Sequence, residues 1–201
     1  MGFGTDHGRA VPYIWHKKAI DLPLNNGRGN VAFTSMTGTQ NAGTLRGLMF
    51  SPLVIRRFTC WTADVPGDWD GTSSFVLRLQ WAQWPDGSQK GGTCLWNLNY
   101  WVCQDWDNPI GSKSVAQTAT FIYGDEGTTN YCMHCGTFAM DFTGGTFGTV
   151  APGNTLFMDL WMPQAVATVG SAFLFRATVE YMAGVTGPSG AALTTQDKRG
   201  S

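Results

Sequence analysis

Between residues 74 and 84 the side chains alternate without a break. Phe75, Leu77, Leu79 and Trp81 fall on one side, and Val76, Arg78, Gln80 and Ala82 on the other. A repeat of two cannot wrap into a helical stripe; it demands an extended strand with one side turned to a core. Residues 93–103 repeat the pattern, with Cys94, Trp96, Leu98, Tyr100 and Val102 opposing Leu95, Asn97, Asn99 and Trp101. Pro85, Asp86 and Gly87 supply a turn between the two runs, which predicts an antiparallel hairpin. Shorter extended runs follow from residues 30–36, 45–50, 53–61, 115–123, 137–142, 155–162 and 171–182. In 155–162, Leu156, Met158, Leu160 and Met162 share a face, and Asp159 lies on the other. In 171–182, Phe173, Phe175, Ala177, Val179 and Tyr181 oppose Leu174, Arg176, Thr178 and Glu180.

No amphipathic run of helical period reaches ten residues, and parallel sheets need long, usually helical crossovers. The chain is therefore all-β: an antiparallel two-sheet sandwich. Eight or so strands make a jelly roll the leading architecture and an immunoglobulin-like sandwich the second. Residues 1–28 carry neither period and hold Gly2, Gly4, Gly8, Pro12 and Pro23, so they read as an extended arm. Tyr13, Ile14 and Trp15 give that arm one apolar patch suited to a partner. Residues 29–183 form the sandwich, and the small, polar, aperiodic stretch 184–201 reads as a flexible tail.

Composition narrows the function. Charged residues make up 13% of the 201 positions, against about 25% in an ordinary soluble domain. The net charge is −1 and the basic residues are scattered, which argues against a phosphate-driven nucleic-acid binder. No stretch of 18 apolar residues exists to span a bilayer as a helix. The first residues lack the apolar segment of a secretory signal. With 9 Trp, 12 Phe and 43% hydrophobic residues, the chain can offset the entropy of ordering. So weakly charged a protein stays soluble through neutral polar groups or by being covered.

Motifs for catalysis are scarce. Cys132-Met-His-Cys135 has the spacing of half a zinc site or a redox pair. The remaining cysteines, Cys60, Cys94 and Cys103, form no second knuckle, so no metal and no cofactor is expected. No histidine falls on a clearly alternating segment, and no nucleophile elbow, phosphate loop or H-E-x-x-H occurs. Most Asp residues sit among turn formers, where Asp ordinarily shapes backbone. An enzyme is therefore not expected. Aromatic platforms for sugars are a stronger rival: Trp69, Trp84, Trp101 and Trp106 fall in loops or on the less apolar strand face. Asp105-Trp-Asp-Asn108 also offers oxygens suited to Ca²⁺.

Asp68-Trp-Asp-Gly71 running into Ser74-Phe-Val-Leu-Arg-Leu-Gln80 resembles the jelly-roll coat proteins of icosahedral picorna-like plant viruses, above all the comovirus and fabavirus small coat protein. The likeness in architecture covers residues 30–182, and the local sequence match is the Asp-Trp-Asp-Gly stretch. It implies a virion subunit, made in the host cytoplasm, that assembles with a larger coat protein and with copies of itself. Trp69 and Trp106 would join Tyr13, Ile14 and Trp15 in partner contacts. The absence of a basic arm implies little direct genome binding, and no membrane is implied. A phage decoration or fibre protein and a carbohydrate-binding sandwich are the alternatives, so a glycan partner stays open.

Overall fold

The structure, a computed structural model, describes residues 16–24, 28–29, 31–37, 44–50, 57–83, 93–105, 108–120, 133–142, 149–162 and 172–184. These residues form strands β1 (His16–Asp21), β2 (Arg28–Gly29), β3 (Ala32–Thr37), β4 (Thr44–Phe50), β5 (Arg57–Asp64) and β6 (Phe75–Gln83). The second half adds β7 (Thr93–Asp105), β8 (Asn108–Thr120), β9 (Met133–Met140), β10 (Thr155–Met162) and β11 (Ala172–Ala183). One sheet runs β3-β4-β11-β6-β9, with β1 also paired to β11; the other runs β2-β5-β10-β7-β8. The paired strands are antiparallel throughout. Counted from β4, the eight long strands fall in the orders 1-8-3-6 and 2-7-4-5. That double Greek-key order is a jelly roll.

The core lies between the sheets, where the alternation places it. Phe75, Leu77, Leu79 and Trp81 from β6 meet Trp96, Leu98, Tyr100 and Val102 from β7 and Leu156, Met158, Leu160 and Met162 from β10, all buried. Each such side chain contributes about 1.5–3 kcal/mol on leaving water. Aromatic rings gather at both ends of this layer. At one end Trp96 meets Phe50 and Trp81 edge-on at 4.9 and 5.7 Å, and Trp81 stacks on His134 at 4.5 Å. At the other end Phe142 meets Trp69, Phe75 and Tyr100 at 6.4, 5.3 and 5.7 Å, in the edge-to-face geometry that ring quadrupoles favour.

Three expectations change. First, the runs 74–84 and 93–103 do not form a hairpin: β6 pairs with β11 and β9, and β7 with β10 and β8. Both runs are buried on one face only, so alternation dictated which face meets the core and left the partner strand undetermined. Second, the expected irregular arm contributes β1, registered from His16 opposite Ala183 to Asp21 opposite Thr178. Its side chains are mostly exposed, so the strand carries no alternation. Leu22 just beyond it is buried, and Trp61 Nε1 donates to Pro23 O at 3.0 Å.

Third, β11 changes face along its length. The register with β6 slips between Leu174 and Arg176, leaving Phe175 as the extra residue of a bulge. Before it, Ala172 and Leu174 face the core; beyond it, Ala177, Val179 and Tyr181 do. Phe173 therefore leaves the main core and packs with Ala82, Met49 and Phe175 in a separate cluster. Gly47 on β4 makes room: a Cβ there would stand 2.1 Å from Leu174 O and 3.0 Å from Phe175 Cα.

Candidate functional site on the solvent face of the second sheet

The Asp68-Trp-Asp-Gly71 loop carries the chain from β5 in one sheet to β6 in the other. Trp69 is only 4% exposed, lies against Phe75 and Phe142, and donates Nε1–H to Ser73 O at 3.0 Å. It is a core residue, so the expected partner contact through Trp69 is corrected: a large ring beside a turn met the interior rather than solvent. Asp70 Oδ1 accepts from Thr72 N, Ser73 N and Ser73 Oγ at 2.9, 2.7 and 2.9 Å, closing the turn that Gly71 enters at φ +76°. Asp68 accepts from Lys18 Nζ and from Tyr181 Oη, the latter at 3.0 Å. Asp70 N donates to Met182 O and Gly184 N to Asp68 O. Asp68 and Asp70 thus fasten the loop to β11, while Trp69 packs into the core and Gly71 shapes the turn.

The solvent face of the first sheet is charged. Arg78 on β6 grips Glu180 on β11 through Nε at 2.7 Å and Nη2 at 3.1 Å, and Lys17 on β1 reaches the same carboxylate. The Arg78 hydrogen bonds, with help from Lys17, hold Glu180 below the ordinary carboxylate range despite its partial burial. In the same way Lys18 lowers Asp68. Glu180 in turn raises Arg78. Arg176 pairs with Asp21 of β1 at 3.0 Å. Arg78 Nη1 also donates to the exposed Cys135 Sγ at 3.5 Å.

The solvent face of β5, β10 and β7 has another chemistry. The core positions of β10 alternate with half-buried Thr155, Phe157, Asp159 and Trp161. Register sets these beside the outward residues of both neighbours. One cross-strand row is Thr62–Phe157–Trp101, the next Cys60–Asp159–Asn99, and the third Phe58–Trp161–Asn97. Two aromatic rows thus flank a polar one, about 6.7 Å apart along the strands. Trp101 and Phe157 stack with centroids 5.4 Å apart and planes inclined by 1°. In the polar row the Cys60 thiol donates to Asp159 Oδ1 at 3.6 Å. Asn97 Nδ2 is shielded from solvent and makes no hydrogen bond, a donor left unmet. In backbone register, Cys60 lies opposite Arg28 of β2 and Asn99 opposite Ser114 of β8.

Of the residues expected to make contacts, Trp101 is on this face. Tyr13, Ile14, Trp15, Trp84, Trp106 and Cys132 lie outside the described residues. Asp105 and Asn108 pair across the β7–β8 connection. Among the described residues no cluster of His, Cys, Asp or Glu could hold a metal ion. His134 is on a strand after all, its imidazole against Trp81, and burial lowers its pKa. Phe157, Trp161, Asn97 and Asn99 complete a site that aromatic counting alone overlooked. The available signal was aromatic residues on the side of residues 155–162 that also carries Asp159.

No protein-family profile matches the sequence, and neither does any curated protein. Solved structures overlap it weakly. The enzymatically active domain of bacteriophage CBA120 tailspike protein 4 overlaps 85% of the chain at 10% identity and TM-score 0.34; the chain spans 19% of that protein. The xylan-binding module CBM15 overlaps 83% at 11% identity and TM-score 0.34, with 97% of its own length covered. The mannan-recognising module TmCBM27 overlaps 84% at 8% identity and TM-score 0.38, with 98% of its length covered. Overlap this weak carries no argument about function, which rests on the side chains above.

Proposed function

We propose that this jelly roll binds carbohydrate on the solvent face of β5, β10 and β7, as a recognition module rather than a catalyst. The observation that carries the reading is the pair of aromatic rows, Trp101/Phe157 and Trp161/Phe58, around the polar row Asp159/Asn99. Sugars present apolar C–H faces edged by hydroxyls that both donate and accept. Indole and phenyl faces suit the first, and carboxylate acceptors with amide donors suit the second. Affinity electrophoresis through gels containing soluble polysaccharides tests this, with xylan and mannan, the ligands of the modules named above, in the panel. Retardation of the parent chain, lost in a Trp101→Ala/Phe157→Ala double variant of unchanged melting temperature, is expected. Unretarded migration across a broad glycan panel defeats the reading.

A second reading, a capsid subunit co-assembling with a larger coat protein, is supported by the 1-8-3-6 and 2-7-4-5 strand orders, an architecture shared by viral shells and lectins. The Asp-Trp-Asp-Gly stretch adds little to it, because its residues are accounted for by the turn and core. Shells seen by negative stain on co-expression with such a protein would favour this reading. Soluble monomers retained on a glycan column would sink it.

A further inference from the structure

The spacing of the rows says what form of carbohydrate fits, an inference that rests on the binding proposed above. Trp101/Phe157 and Trp161/Phe58 are separated by four residues along β10, about 13 Å, with Asp159 and Asn99 midway. A single pyranose ring covers roughly one row spacing and cannot touch both aromatic rows while meeting the polar one. We infer that the ligand is a linear oligosaccharide lying along β10, with one ring at Trp101/Phe157, the next over Asp159 and Asn99, and a third at Trp161/Phe58.

Three features of the face favour this. The aromatics occur as two separate groups rather than one patch, so a ligand meeting only one would leave the other unused. The polar row lies between them, where the middle ring of a chain presents hydroxyls and no chain end. The three rows succeed one another in line along β10, as the residues of a linear chain do.

Calorimetry with a size series from mono- to hexasaccharide, built from whichever polysaccharide retards the chain, is the test. Affinity is expected to rise about tenfold or more from disaccharide to trisaccharide and to level off beyond it. Trp161→Ala should reduce trisaccharide binding to the disaccharide level while leaving disaccharide binding within about twofold. Trimming the reducing and non-reducing ends of the polymer should not change retardation. If the chain binds the monosaccharide as tightly as the trisaccharide, or binds chain ends only, the extended ligand is wrong while carbohydrate binding stands. If nothing in the series binds although the polymer does, three rows do not define the footprint. If neither binds, the function proposed above fails instead.

Discussion

Replacing Glu180 by Gln isolates the charge that joins three strands of the first sheet. The isostere keeps the volume and much of the hydrogen bonding but loses the anion that Arg78 grips at 2.7 and 3.1 Å and that Lys17 approaches. Hydrogen bonds to a charged group contribute about 1.5–3 kcal/mol when sheltered. Here the carboxylate side chain is 13% exposed while Arg78 and Lys17 are 35% and 54% exposed. Solvent screening on the cationic side therefore reduces the expected loss to about 1–2 kcal/mol. For a chain of this size that lowers the melting temperature by about 3–6 °C at pH 7.

The pH dependence separates charge from packing. Glu180 titrates in the folded chain below its ordinary value of 4.5. A lowered carboxylate stabilises fully above the unfolded value and loses that contribution as pH falls through the folded one. The gap between parent and Glu180→Gln, read as urea midpoints by circular dichroism, should be open at pH 7 and close toward about pH 2. Equal midpoints at pH 7 would show the network contributes nothing. A gap of constant size into acid would show that Gln harms packing rather than charge.

Gly47→Ala should cost about 1–3 kcal/mol, with more if β11 cannot shift, because its methyl meets the Leu174 carbonyl; chemical denaturation measures it. Trp69→Ala should lose about 3–5 kcal/mol in the same assay yet leave glycan retardation intact in the folded fraction, since the ring is in the core and not on the solvent face. Asp70→Ala strips three acceptor contacts from the turn and should lower stability by about 1–2 kcal/mol. Tyr181 is pushed up to about 12, by burial first and by its hydrogen bond to Asp68 second. Ultraviolet titration should therefore show a late phenolate, and stability should decline as pH rises from about 10 toward that value.

The layers of the fold were legible because burial of one strand face writes itself as alternation, as in Phe75 to Trp81 and Leu156 to Met162. Pairing was not, since β6 and β7 offer the same apolar code to any partner. The bulge at Phe175 was hidden for a related reason: Phe173 and Phe175 are apolar, so the slip replaces apolar residues by apolar residues. β1 was hidden because its ladder to β11 is made by backbone, with His16, Lys17 and Lys18 outside. The face proposed to bind was half visible. Trp101 stood out among Asn97 and Asn99, but its partner Phe157 comes from a strand more than fifty residues away, and only register brings them together.

The scarcity of charge now has a spatial meaning. The ion pairs described join Lys17, Lys18, Asp21, Asp68, Arg78, Arg176 and Glu180, which knit β1, β6, β11 and the preceding loop on the first sheet. On the opposite face the described outward residues of β5, β10 and β7 include Thr62, Cys60, Asn99 and Asn97 alternating with rings around Asp159. Low charge in a chain can mean a surface covered by neighbouring subunits, and such a surface would expose large apolar groups when alone. Among the described residues Phe33, at 47%, is the exposed large hydrophobic. On the reading proposed above, Thr62→Lys should weaken retardation by a neutral polysaccharide while leaving the melting temperature within about 2 °C.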